Sequence, residues 1–169
     1  VVAVGYDEYN PVEIEPYHYG KQGYENVITQ LQLERMMSPT SLTGSEVLRP
    51  SDGKIPKNIV MIQCVGSRND QVGNKYCTGV CCKFAIKNAG IIKDNYPDSN
   101  VTICYIDIRT PGLNFEEYYK SSQEKGIRFI RGRPSEITRD PTTGELNVIV
   151  EDTLSQTSLM LEADLIVLS

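Results

Sequence analysis

"NIVMIQCVGSRNDQVGNKYCTGVCCKFAIKNAGIIKDN", residues 58–95, decides the fold. It opens on NIVMIQCV (58–65), a short apolar run of the kind that forms a strand buried on both faces. It closes on CTGVCCKFAIKNAGIIKDN (77–95), which suits a helix. Val80, Phe84, Ile91 and Ile92 offer that helix an apolar face, with lysines on the other side. The rhythm continues downstream. NVTICYIDI (100–108) reads as a second strand, and NFEEYYKSSQEKG (114–126) as a helix with Gly126 as its C-cap. IRFIRG (127–132) reads as a third strand. ELNVIVED and TSLMLEAD alternate like a hairpin, and DLIVLS (164–169) is a last buried strand. Strand, helix, strand, helix, strand, hairpin, strand predicts an α/β, Rossmann-like three-layer domain. Its sheet is mainly parallel, with an antiparallel hairpin insertion.

Upstream the pattern is weaker. VVAVGYD reads as the end of a buried strand running into a glycine turn. Residues 8–24 read as a loop that holds the only histidine, His18. TQLQLERMM, from Thr29, reads as a short helix whose Thr29 and Gln32 have capping-box spacing. Residues 38–57 form a polar connector with Pro39, Pro50 and Pro56. Residues 1–57 are therefore expected to be a connecting arm and 58–169 an NAD(P)-binding-like domain. The buried-looking strands at both ends suggest an excised piece of a longer protein.

The bulk numbers exclude some functions. The chain has 169 residues, 40% hydrophobic and 23% charged, ordinary values for a globular domain. A formal charge of −5 argues against nucleic acid as a partner. No apolar run approaches the ~20 residues needed to cross a bilayer, so no direct membrane insertion is expected. No basic-then-apolar leader opens the chain, so a cytoplasmic protein with reduced thiols is the expectation.

A dinucleotide-binding turn after the first strand of the βα unit should carry G-x-G-x-x-G, which brings backbone against a pyrophosphate. Here Gly66 and Gly73 have the wrong spacing and side chains fill the turn, so tight NAD(P) binding is not expected. Four of five cysteines stand there instead: Cys64 at the strand end, Cys77 and Cys81 four apart, and Cys82 beside Cys81. On a helix running from residue 77, Cys77 and Cys81 would share a face. The helix N-terminus and Arg68, Lys75, Lys83 and Lys87 supply positive charge, which favours thiolates and an anionic group. The alternatives are packing, zinc, a redox dithiol and an iron–sulfur cluster. Zinc more commonly uses two close C-x2–4-C pairs, a redox dithiol prefers C-x-x-C, and the spacing is not a ferredoxin run. An iron–sulfur site is the sharpest of these readings. Cys104, in mid-strand, reads as packing.

The motifs RPSDGKIPKNIVMIQCVGSRND, NKYCTGVCCKFAIK, YIDIRTPGLNFEEYY and GIRFIRGRPSEI closely resemble the A subunit of heterodisulfide reductase. That family comprises iron–sulfur flavoproteins of methanogens and other anaerobes. The resemblance extends over nearly the whole chain, including YGKQGYENVITQLQLERMM. It implies a nucleotide-type domain inserted in a thioredoxin-reductase-like FAD domain, cut at both crossings. By the resemblance, Cys64, Cys77, Cys81 and Cys82 are ligands of a [4Fe–4S] cluster, and Lys87 faces the flavin. The cluster is liable to be lost from an isolated piece, and FAD belongs to the full-length parent only. The implied parent splits electrons between ferredoxin and a disulfide-reducing partner. The implied partners are the parent's own FAD and ferredoxin domains, heterodisulfide reductase B and C subunits, and a hydrogenase or dehydrogenase donor. A homodimeric parent is compatible with this. The chain alone is expected to bind no FAD and turn nothing over. The related quinone-linked A subunit of sulfate reducers, a pyridine-nucleotide domain and a structural zinc domain are the alternatives. Asp107 is expected to make a local turn or an ion pair with Arg109, and His18 to be a loop residue.

Overall fold

The computed structural model describes residues 1–2, 4–20 and 23–169. The elements run β1 (Val27–Thr29), α1 (Gln30–Met37), β2 (Asn58–Ile62), α2 (Cys81–Asn95), β3 (Asn100–Tyr105), α3 (Phe115–Glu124) and β4 (Arg128–Arg131). Then follow β5 (Glu136–Arg139), β6 (Leu146–Asp152), β7 (Thr157–Ala163) and β8 (Leu165–Leu168). The first sheet has the order β1-β8-β2-β3-β4, and every neighbouring pair is parallel. The second is antiparallel, in the order β5-β6-β7.

The period-two alternation of β2 and β8 explains the layering. Ile59, Met61, Leu165 and Val167 join a core with Leu33 of α1 and with Ala85, Ile86, Ala89 and Ile92 of α2. Val60, Ile62, Ile166 and Leu168 face the other way, into a core with Ile137, Leu146, Val148 and Val150 of the antiparallel sheet. Helices, parallel sheet and antiparallel sheet make three layers, an α/β Rossmann-like fold with an antiparallel insertion.

Several local expectations change. Helix α2 begins at Cys81, not at Cys77, because Gly79 adopts φ +73° and breaks the helical path before Val80. Cys77 therefore lies on the incoming loop, not one turn behind Cys81 on a shared helix face. The buried stripe of α2 is Cys82, Ala85, Ile86, Ala89 and Ile92. Of the stripe chosen from sequence, Ile92 is fully buried and Phe84 half-buried, whereas Val80 and Ile91 are 48% and 37% exposed. Small Ala85 and Ala89 let the helix approach the sheet, and Ile86 and Ile92 fill the remaining space.

The opening valines, read as a strand, belong to no strand pair among the described residues, and Val1, Val2 and Val4 are exposed. Ala3 lies outside the described residues. Val27 and Ile28, to which sequence reading assigns no element, and Thr29, read as the helix start, form the edge strand β1 beside β8. Tyr17, Leu33 and Val47 are buried in the two cores, so residues before 58 pack as part of the same sheet and layers. Thr29 and Gln32 do form the capping box: the Gln32 N–H donates to Thr29 Oγ1, and the Thr29 N–H to Gln32 Oε1.

Candidate functional site

The carboxyl ends of β2 and β8 and the start of α2 meet at one end of the parallel sheet. This is where open α/β sheets place their ligands. Residues 63–80 cross that end as an ordered loop. The Val65 N–H donates to the Ser169 carbonyl at 2.7 Å, and the Gln63 N–H to the Cys104 carbonyl at 3.0 Å. Asn69 and Asn74 exchange backbone hydrogen bonds, and Asn74 Nδ2 donates to the Gly66 carbonyl at 2.9 Å. Cys64 (φ +61°) and Arg68 (φ +50°) are left-handed without being glycine. Gly66 between them is required twice over. Its φ is +72°, and a Cβ there would fall 2.1 Å from the Tyr9 ring.

The loop and helix bring the four sequence-selected thiols within electrostatic reach. Cys64 and Cys82 are buried, Cys77 and Cys81 half-buried, and all five cysteines are free thiols. Burial pushes the Cys64 thiol up, the charge on Cys81 adds to this, and Cys77 contributes further, while Arg68 opposes them. Cys81 moves the other way. A hydrogen bond from the Cys82 thiol, the Thr78 hydroxyl at 3.4 Å and the N–H groups of Cys82 and Cys81 outweigh its burial and bring it down to about 6. No side chain caps α2 at Val80, so the N–H groups of its first turn, among them those of Cys81 and Cys82, remain to favour a thiolate at Cys81. Cys82 is pushed up, first because its thiol donates to Cys81 and then by burial. Its sulfur also lies 3.7 Å from the Asp107 carbonyl oxygen.

Sequence reading missed how the nearby charges are tied together. Asp107 pairs with Arg68 (Nη2 to Oδ2, 2.8 Å) and more loosely with Arg131 (3.7 Å). The expected local partner, Arg109, acts on it only through longer-range charge. The Arg68 hydrogen bond holds the Asp107 carboxyl below the usual carboxylate range. Arg68 also donates its backbone N–H to the Tyr76 carbonyl at 3.0 Å, next to Cys77. Its Nη1 is buried and has no hydrogen-bond partner among the described residues. Only the pairing of a loop arginine with an acid after β3 could have signalled this, and spacing does not reveal which arginine.

Lys87 is half-exposed. Its ammonium is bound by Glu34 of α1 and stands 4.6 Å over the Phe84 ring. A cavity of about 110 Å³ lies beside Cys81, with Tyr6, Tyr9, Val80, Phe84 and Ser169 among its walls. Beneath it runs a buried polar chain that sequence reading did not find. Asn88 donates to Gln30, and Gln30 and Gln63 both donate to Ser169 Oγ. Cys104 is core, its thiol pushed up to about 12 by burial. His18 is a left-handed loop residue stacked on Tyr24. Among the described residues, no three Cys, His, Asp or Glu side chains stand close enough to hold a single metal ion. No helix among them is long and apolar enough to cross a membrane.

Comparison with known proteins gives one consistent answer. No family model matches the chain. Over 170 residues the chain is 53% identical to the A subunit of the H2/formate:CoB-CoM heterodisulfide,ferredoxin reductase of Methanococcus maripaludis, covering all of this chain and 26% of that protein. It is 54% identical, with the same coverage, to the iron-sulfur A subunit of the CoB–CoM heterodisulfide reductase of Methanocaldococcus jannaschii. To the A subunit of the ferredoxin/F420H2-dependent CoB-CoM heterodisulfide reductase of Methanosarcina acetivorans it is 47% identical, over all of the chain and 21% of the relative. The chain thus spans about a quarter of the length of these relatives. Among solved structures, L-lysine 6-monooxygenase from Pseudomonas syringae shares the fold. Its TM-score is 0.50 at 11% identity, covering 86% of this chain and 40% of that one.

Proposed function

Because the chain belongs to the family of heterodisulfide reductase A subunits, which are oxidoreductases, we propose that it is an electron-transfer domain carrying one [4Fe–4S] cluster. Cys64, Cys77, Cys81 and Cys82 would hold it. What supports this reading is that four thiols stand on the loop and first helical turn at the ligand-binding end of the sheet, with Cys81 and Cys77 acting by charge on Cys64, and Cys81 and Cys82 acting on each other. The donor set suits the group. Four sulfurs match its ligands, and the helix N–H groups and the buried Arg68 Nη1 suit its negative charge. A four-iron cluster spreads its thiolates over four metals, so it does not need the close group of donors that one ion needs. When bound, the cluster would supply a one-electron station.

The chain's own residues have distinct tasks in this reading. The 63–80 loop and the first turn of α2 present the thiols, and Cys81, down at about 6, is ready to bind as thiolate at neutral pH. Buried Cys64 and Cys82 keep water from the inner side. Lys87, held by Glu34 and Phe84, is proposed to face the FAD of the full-length parent. We further propose that the parent, in the cytoplasm of an anaerobe, divides electrons between ferredoxin and a disulfide-reducing partner in methanogenesis. There it would assemble with B and C subunits and a hydrogenase or dehydrogenase donor.

Anaerobic reconstitution of the chain tests the cluster. Iron and acid-labile sulfide near four each per chain and an EPR signal on reduction are expected. Cys81→Ser should lose both. One zinc per chain with no sulfide would refute the proposal.

A further inference from the structure

Arg68 is the charged side chain most firmly built into the cysteine loop. Its backbone is fixed in the left-handed region four residues after Cys64 and bonded to the Tyr76 carbonyl, next to Cys77. Its guanidinium is held by Asp107 at 2.8 Å, and the Asp107 carbonyl lies 3.7 Å from the Cys82 sulfur. One residue, through its backbone and its side chain, is thus tied to the surroundings of three of the four thiols. Its remaining terminal nitrogen, Nη1, is buried without an acceptor among the described residues, a costly arrangement for a charged donor unless an anionic group faces it.

We propose that Arg68 is a positioning residue for the electron-carrying group, a fixed cation and hydrogen-bond donor that stabilises its reduced state, with Asp107 as the counter-charge that aims and moderates it. The inference rests on the cluster reading above. Taking up one electron adds one negative charge at the thiolate-held group. A cation fixed nearby in a half-buried site favours that state, and hydrogen bonds to sulfur act in the same direction. A carboxylate at similar range acts oppositely. The two members of one salt bridge therefore shift the reduction equilibrium in opposite directions, whereas damage to the loop would shift it the same way for both. In the same sense, Cys64 and Cys77 join Asp107 in holding the guanidinium above its ordinary range.

The test is an EPR-monitored redox titration of the anaerobically reconstituted chain. Arg68→Gln, with iron and sulfide retained, is expected to move the reduced-to-oxidised ratio about tenfold towards oxidised at fixed potential, equal to 59 mV for a one-electron couple. Asp107→Asn is expected to move it towards reduced. Arg68→Lys should stay within about threefold of the parent chain, because the charge remains. If Arg68→Gln loses the cluster, the opposite sign of Asp107→Asn and the small effect of Arg68→Lys decide the matter. A ratio unchanged in Arg68→Gln, or moved the same way by Asp107→Asn, overturns the inference while leaving the cluster assignment standing. Failure of the unmodified chain to take up iron and sulfide overturns both.

Discussion

In the reduced, metal-free chain, Cys81 should be the first thiol to react with iodoacetamide, and its rate should stop rising above neutral pH. Its thiol is brought down to about 6 by donors that surround the sulfur, led by the Cys82 thiol, whereas an unfolded thiol titrates near ~8.5. At pH 7 the folded thiolate fraction is about 90%, against about 3% unfolded, a thirtyfold gain. A lower pKa also weakens the nucleophile, by about 13-fold for 2.5 units at a Brønsted slope near 0.45. The net advantage over the urea-unfolded chain is then about twofold at pH 7, but about twentyfold at pH 5, where the unfolded thiolate has nearly vanished. Shielding by the loop scales every rate alike. The tenfold change between the two pH values is therefore independent of how far the loop covers the sulfur.

The assay is timed alkylation at pH 5, 6, 7 and 8, quenched and mapped by peptide mass spectrometry. Thr78→Ala removes one donor and should raise the midpoint by about half a unit to one unit. Cys104, buried with its thiol at about 12, is the internal control and should stay unlabelled until the chain unfolds. A Cys81 rate that still climbs tenfold per pH unit between 7 and 8 would refute the reasoning, because the donors would then not be stabilising a thiolate.

Three further outcomes concern the fold, two in the cysteine loop and one at the opposite, amino end of the parallel sheet. Cys64→Gly should be about 1 kcal/mol more stable than Cys64→Ala in metal-free melts, since φ +61° suits only glycine without strain; the reverse order would mean the loop relaxes on losing the thiol. Gly66→Ala should cost at least about 2 kcal/mol in urea unfolding, as its Cβ meets both a left-handed backbone and the Tyr9 ring. Asp164→Ala should cost about 3 kcal/mol by the same measure, because its carboxylate accepts from the Lys57 and Asn58 N–H groups and from Arg49; a loss below about 1 kcal/mol would show those donors finding water instead.

The parts of the fold that could be read from sequence were those whose signal is local. Apolar runs such as NIVMI and LIVL are buried on both faces, so they need no context to be recognised as inner strands. The Thr29–Gln32 box names its own helix start. The parts that could not be read depend on partners far away in sequence. VIT at 27–29 is a strand only because β8, some 140 residues later, lies beside it. The packed face of α2 is chosen by the sheet, which admits Ala85 and Ala89 and turns bulkier Val80 and Ile91 outwards. At the site, it was legible that the four cysteines belong to one βα turn, because they stand within twenty residues of one another between β2 and α2. Their environment was not. Whether Asp107 meets Arg109 or Arg68 depends on how residues 63–80 fold back over β3, which no spacing rule encodes.

The loop itself argues that its side chains are there for chemistry. A nucleotide-binding turn meets the demand for left-handed backbone with glycine, so that the chain can approach a phosphate. In the first stretch of the loop, residues 64–68, the left-handed positions alternate Cys64, Gly66, Arg68, and only the middle one is glycine. Each of the other two costs on the order of 1–3 kcal/mol of backbone strain. The strain is borne because hydrogen bonds from Val65 to Ser169, from Gln63 to Cys104 and from Arg68 to Tyr76 fix the path at both ends of the turn. A turn shaped for stability alone would carry glycine at all three. The two departures are a thiol and a guanidinium, and both stand at the carboxyl end of the parallel sheet, on the loop that leads into α2. Glycine brings backbone to a ligand; a left-handed cysteine and arginine bring a ligating sulfur and a positive charge instead. On the proposed cluster reading, that exchange would turn a place suited to a phosphate into one suited to a thiolate-held, negatively charged group.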